Sequence, residues 1–355
     1  MGDINSSAAM DAEGNVMMTN WLLLLTLLSF LVGGAIIGDL IPSYIVRIIV
    51  TQLFVALPLL VWSFCVEKQT GRQFCEEMRI RKIRFSDALL IAVLMLFLSP
   101  VLTFVNLVSQ LLTKYVAAGN IIGSLDKYPF IVSFLVIAVL PAVTEELVYR
   151  GMLYGGYRKR SALMGALMSG LVFGMMHGNI NQFAYAFVMG FVFALVTEVT
   201  GSIVSSMLMH LIVNGSSVLI VYAARWLGNS SSGFSEMLEQ AEQETEQLTW
   251  SSIGPFACMA LIGGLVAYRL FWVLAARCRR EEELRAEIAA KGKGRALRDL
   301  ITTPLVVVLA VLFALIVLVE VESRKQAAKE AKANEKETVA CVESVYLEEE
   351  KCLIL

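Results

Sequence analysis

Charge is what this sequence has least of. Charged residues make up 17% of the 355-residue chain, and the balance of 29 Lys+Arg against 31 Asp+Glu leaves a net charge of only −2. So small an imbalance gives no reason to look for a nucleic-acid partner. Histidine occurs only twice, at His177 and His210, and there is no HExxH motif. The six cysteines stand apart at 65, 75, 258, 278, 341 and 352, with no CxxC or zinc-knuckle spacing. Cys65 and Cys258 sit in or beside apolar runs and read as small core residues. The first twenty residues lack a basic n-region, so the apolar run from Trp21 reads as a retained helix, not a cleaved signal. No internal repeat is evident.

What the chain has instead is hydrophobic length. It is 57% hydrophobic with a mean hydropathy of +0.70, where soluble domains carry about 45–50% apolar residues. Several runs reach the ~20 residues needed to cross a hydrocarbon core. The expected fold is all-α, a polytopic transmembrane helical bundle of eight or nine spans around a polar intramembrane cavity. Nine spans can be drawn, at about 20–41, 44–66, 86–113, 128–149, 161–178, 182–199, 202–224, 252–275 and 301–319. Lys and Arg concentrate in the segments 67–85, 150–160 and 276–300, whereas 225–250 is acidic through Glu236, Glu239, Glu242, Glu244 and Glu246. The positive-inside rule then puts the N-terminus and the loops after spans two, four, six and eight in the cytoplasm. The mixed-charge tail 320–355 falls on the opposite side in that scheme and reads as a solvated linker. The expected organisation is N-terminal helices 1–127, a core 128–224, an acidic external loop 225–251, C-terminal helices 252–319 and the tail.

Against this apolar background one stretch stands out: VTEELVYRG, residues 143–151, next to IVSFLVIAVLP. A charge at membrane depth costs about 2.5–3.5 kcal/mol on insertion scales unless it is paired or wetted. Glu146 and Arg150 are spaced i,i+4 with the acid first, the favourable order for a helical ion pair. Glu145 points about 100° away and has no basic residue at i+3 or i+4. His177 ends LVFGMMH, one turn after Phe173, and His210 lies one turn before Asn214 in HLIVN. An unpaired Glu, both histidines and an Asn thus fall on three spans within seventy residues. Intramembrane ionisable groups default to a functional site, although a lone membrane histidine more often bonds neighbouring helices. Gly170 and Gly174 form a GxxxG face for close packing. Ser205 and Ser206 read as hydrogen bonding within or between helices, Asn179 and Asn181 as cap or turn residues of the span-five-to-six loop, and Glu198 as a solvated residue at a span end.

EELVYR at 145–150, FGMMH at 173–177 and HLIVN at 210–214 resemble, in order and on separate spans, the EExxxR, FxxxH and HxxxN/D motifs of the CPBP family, the type II CAAX prenyl endopeptidase and bacteriocin-processing membrane proteins. The resemblance covers about residues 129–220. It implies an intramembrane endopeptidase in which Glu145 is the catalytic glutamate and His177, His210 and Asn214 complete the site, with Glu146, Arg150 and Phe173 in support. It implies a peptide or protein substrate at the membrane and, with the basic loops, a bacterial plasma membrane with the N-terminus in the cytoplasm. A buried carboxylate suits a general base, and His and Asn can donate to an oxyanion. Glu145, His177 and His210 are also a set that Zn²⁺ or another divalent metal uses, since His₂Glu is a known catalytic ligand set. Alternative readings are a non-catalytic scaffold or immunity protein of the same fold, and a proton-coupled transporter. Lack of a repeated half speaks against transport. The chain ends Cys352-Leu353-Ile354-Leu355, which matches C-a-a-X, a match that coincidence explains in an aliphatic-rich sequence. For the site to form, Glu145 and His177 must meet at one depth, which requires span five to begin in a cytoplasmic helical turn or span four to continue through Arg150.

Overall fold

The computed structural model describes residues 2–37, 40–70, 73–113, 127–227 and 248–325. All regular structure among them is helical. Eight helices are long and apolar enough to cross a membrane: Val16–Gly34, Tyr44–Cys65, Phe85–Thr113, Phe130–Tyr157, Ile180–Thr200, Ile203–Trp226, Gly254–Arg277 and Thr303–Lys325. The ninth expected span is Ala162–Met175, only 14 residues. At 1.5 Å per residue it extends about 21 Å, short of a ~30 Å core. Side chains such as Leu60, Leu96, Leu261 and Leu318 are more than 60% exposed on the outside of the bundle, as lipid-facing positions must be.

The helices are labelled in chain order: α1 Gly2–Leu31, α2 Tyr44–Ala56, α3 Pro58–Thr70, α4 Phe74–Glu77, α5 Phe85–Thr113, α6 Phe130–Tyr157, α7 Ala162–Met175, α8 Ile180–Thr200, α9 Ile203–Leu227, α10 Gly254–Arg277, α11 Glu281–Ala289, α12 Lys293–Leu300 and α13 Thr303–Lys325. Pro58 opens α3 where its missing N–H costs least. Ser161 caps α7 by accepting from the Met164 amide, and Asn179 caps α8 by accepting from the Gln182 amide at 2.8 Å. Asn181 does not cap; it is buried inside the bundle.

α7 and α8 form a tight antiparallel hairpin. A Cβ on Gly170 would come within 2.7 Å of the Phe191 amide nitrogen, and one on Gly190 within 2.8 Å of Gly170 Cα. The small-residue face read from the sequence therefore lets two backbones touch. α6 continues past Arg150 to Tyr157, but not as a uniform α-helix. Phe134–Val139 and Leu147–Leu153 are π-helical, flanking the α-turns that hold Glu145 and Glu146. Such wider turns recur at functional sites because they re-aim side chains. Ser205 bonds to the Ser202 carbonyl and Ser206 to the Ile203 carbonyl, within their own chain segment. The cysteine reading is corrected: Cys258 is exposed and Cys65 half-buried, because an apolar run on a membrane helix includes an outward face. Glu236, Glu239, Glu242, Glu244 and Glu246, most of the tail and the CLIL end lie outside the described residues.

Candidate active site

Three helices deliver the polar groups that the sequence singled out. Glu146 and Arg150, both fully buried on α6, pair at 2.7 Å. His210 on α9 places Nδ1 2.8 Å from the same Glu146 oxygen. Arg150 finds no hydrogen-bond partner for Nε or Nη2 among the described residues. Its guanidinium instead lies over the Phe173 ring at 4.3 Å and near the Phe193 ring at 5.2 Å. Cation–π contact of a desolvated guanidinium contributes about 2 kcal/mol, so Phe173 supports the ion pair. The same ring meets Tyr149 and His177 edge-on, each at 5.0 Å, and His210 at 6.0 Å.

Glu145 is the carboxylate left over, as expected, and it is 18% exposed where Glu146 is fully buried. Its Oε2 stands 3.9 Å from His210 Nε2. The other oxygen accepts a hydrogen bond from Gln52 Nε2 at 2.7 Å. Gln52, on α2, has its own carbonyl held by the Thr144 hydroxyl. His177, in the turn after α7, sits with Nδ1 2.8 Å from the Phe173 carbonyl oxygen and within electrostatic reach of both Glu145 and His210. α6 runs on through Arg150, as the shared depth requires, and His177 lies within electrostatic range of Glu145. Asn214 Nδ2 donates to the Ile137 carbonyl at 3.1 Å, tying α9 to the first π segment of α6.

The tautomers follow from partners. A carbonyl only accepts, so His177 Nδ1 carries a hydrogen; an ionised Glu146 likewise asks His210 Nδ1 to donate. In the neutral rings both Nε2 atoms then hold lone pairs and accept. In that state neither Nε2 donates to an oxyanion. As for metal, no group of three His, Cys, Asp or Glu side chains among the described residues is arranged to hold an ion. Glu145, His177 and His210 are not gathered into such a group.

Residues 127–216 match the family model described as type II CAAX prenyl endopeptidase Rce1-like. The match supports the CPBP/CAAX protease family for this segment. No curated protein and no solved structure matches the chain. The matched segment contains all three motifs and supports an intramembrane CAAX-type protease in general, a family acting on membrane-associated protein substrates. Gln52 lies outside it. A glutamine in the otherwise apolar run LFVALPLL and its preceding turn was the available signal, by the same membrane-cost argument that exposed the glutamates.

A second buried carboxylate overturns one reading. Glu198 is 6% exposed, not solvated. It accepts from Arg158 twice at 2.6 Å, from Arg280 at 2.8 Å, from Tyr154 at 3.0 Å and from Arg79 at 3.2 Å. These hydrogen bonds hold the Arg158 guanidinium above its usual pKa, whereas burial pulls that of Arg79 down.

Proposed function

We propose that the chain is an intramembrane endopeptidase that hydrolyses a peptide bond of a membrane-associated substrate, with Glu145 as the base. The observation that carries this reading is the contrast within one turn of α6. Glu146 is fully buried and takes Arg150 and His210 on one oxygen, while Glu145 keeps one oxygen near His210 Nε2 and partial access to solvent.

In the proposed reaction Glu145, with an imidazole Nε2 accepting beside it, removes a proton from water as the oxygen attacks the peptide carbonyl carbon. The C=O π electrons move to oxygen, giving a tetrahedral oxyanion. Asn214 supplies a donor: its amide spends one N–H on Ile137 and retains the second. Collapse re-forms the C=O, breaks the C–N bond, and passes the proton held at Glu145 to the leaving nitrogen. The products are a carboxylic acid and an amine; the acid then gives its proton to the amine or to water. Gln52 acts as a positioning residue by fixing one oxygen of Glu145 so that the other faces the water. His177, anchored to Phe173, closes the same side. Orientation of this kind is worth several kcal/mol when the bound geometry is near attack. The prenylated C-a-a-X terminus named by the family model is the first substrate class to try.

The test is cleavage of a fluorogenic prenylated C-a-a-X peptide, with mass-spectrometric product assignment, by purified native chain and Glu145→Gln. The variant keeps size and hydrogen bonding but has no proton acceptor, and a general base contributes about 10²–10⁴ in rate. Full activity in Glu145→Gln ends this reading.

A further inference from the structure

Around Glu198, away from the Glu145 site, lies a polar cavity of about 250 Å³. Its basic lining is Arg79, Arg81, Arg158, Lys159 and Arg280, and its acidic lining is Glu76, Glu77 and Glu198. Positive charge exceeds negative there. It still does when Glu283, which pairs with Arg280 at 3.0 Å but is itself 66% exposed, is counted. Three arginines share the single Glu198 carboxylate, and Lys159 is held by Glu77 at 2.9 Å. Arg81 is different. Its backbone is pinned to the Ser202 hydroxyl through both N–H and C=O, and its side chain is exposed with no hydrogen-bond or ion-pair partner among the described residues.

All these groups sit at span ends. Arg79 and Arg81 precede Phe85–Thr113, Arg158 and Lys159 follow Phe130–Tyr157, and Arg280 follows Gly254–Arg277. The cavity is therefore at the membrane–water boundary, on the face rich in Lys and Arg. The positive-inside rule assigns that face to the cytoplasm, where leaflets carry anionic lipid and each nearby basic residue contributes about 1 kcal/mol of attraction.

We infer that this cavity is a phosphate-binding site, filled by the phosphate of an anionic phospholipid headgroup or by free phosphate, with Arg81 as the arm that no resident carboxylate neutralises. Guanidinium groups present planar donor pairs that suit phosphate oxygens. Arg158 and Arg280, though engaged by Glu198, are about one-third exposed and keep donor edges toward the cavity. The buried Glu198 holds the basic side chains together that would otherwise repel, so the site is preorganised.

Thermal unfolding of the purified full chain in nonionic detergent tests this without any substrate. Phosphatidylglycerol, phosphatidylcholine and inorganic phosphate are titrated separately. Phosphatidylglycerol should raise the melting temperature to a plateau and phosphatidylcholine should not. Arg81→Gln should melt like the native chain without ligand and bind about tenfold more weakly, the loss of one good charged contact. Lys291→Gln, which removes a basic residue lining a different cavity, should respond like the native chain. If inorganic phosphate alone gives an Arg81-dependent shift, the site stands with a soluble anion as its source. Equal responses to both lipids, an unaltered response in Arg81→Gln, or no response to any of the three overturns the inference.

Discussion

Two buried glutamates on this scaffold have been given opposite surroundings. Glu198 is met by three arginines and a tyrosine from three segments of the chain. Glu146 is met by one arginine and one imidazole, and its sequence neighbour Glu145 is met by an amide that leaves an oxygen uncommitted. A carboxylate surrounded by fixed cations is a fastener: its charge is satisfied and its oxygens have no capacity left for a substrate. A carboxylate whose cation has been taken by its neighbour stays a base. What separates site from strut here is an uncommitted oxygen that solvent can reach: both oxygens of Glu198 are bonded, Glu146 is fully buried, and Glu145 is 18% exposed with one oxygen free.

That comparison can be broken most severely at Arg150. Arg150→Ala strands the fully buried Glu146, and breaking a buried pair from one side costs about 3–5 kcal/mol. Folded yield and melting temperature should both fall; native-like melting would mean Glu146 is solvated after all. Next comes Glu198→Gln, which keeps an acceptor oxygen but removes the charge that three arginines share. Loss of hydrogen bonds to a charged group costs about 1.5–3 kcal/mol, and melting should drop while the turnover number of folded protein stays native.

The third change sharpens the account of Glu145. Gln52→Leu removes the 2.7 Å hydrogen bond to Glu145 at roughly constant volume. It should lower kcat about tenfold, a barrier change near 1.4 kcal/mol, with KM and melting temperature unaltered. A rise in KM alone would make Gln52 a substrate contact. The smallest effect belongs to Thr144, which holds the Gln52 carbonyl. Thr144→Val should show a weaker form of the same kcat loss, about the 0.5–1.5 kcal/mol of one neutral hydrogen bond, and Thr144→Ser should restore it. Equal kinetics in the two variants would remove Thr144 from the chain of contacts.

Local features were legible in the sequence and distant pairings were not. The Glu146–Arg150 pair is a four-residue spacing, the Asn179 cap a three-residue one, and Gly170 and Gly174 fall on one helical face; each follows from helix geometry alone. The eight long spans follow from hydropathy, while the fourteen-residue α7 was drawn as a full span because its flanking residues are apolar too. Gln52 lies 93 residues from Glu145, and the Glu198 arginines lie 40, 82 and 119 residues away. No periodicity reports such contacts, so Glu198 at a helix end looked like any solvated acid. The π turns of α6 were equally hidden, because residues such as Leu147 and Val148 are compatible with either helix type.

The most direct test of the contrast between base and fastener measures turnover and melting temperature together for Glu145→Gln and Glu198→Gln, in the purified full chain with one prenylated C-a-a-X peptide. The account predicts a double dissociation: Glu145→Gln melts like the native chain and loses cleavage by about 10²–10⁴, whereas Glu198→Gln melts lower and cleaves at the native rate per folded molecule. Cleavage that survives in Glu145→Gln, or disappears in a folded Glu198→Gln, would contradict it.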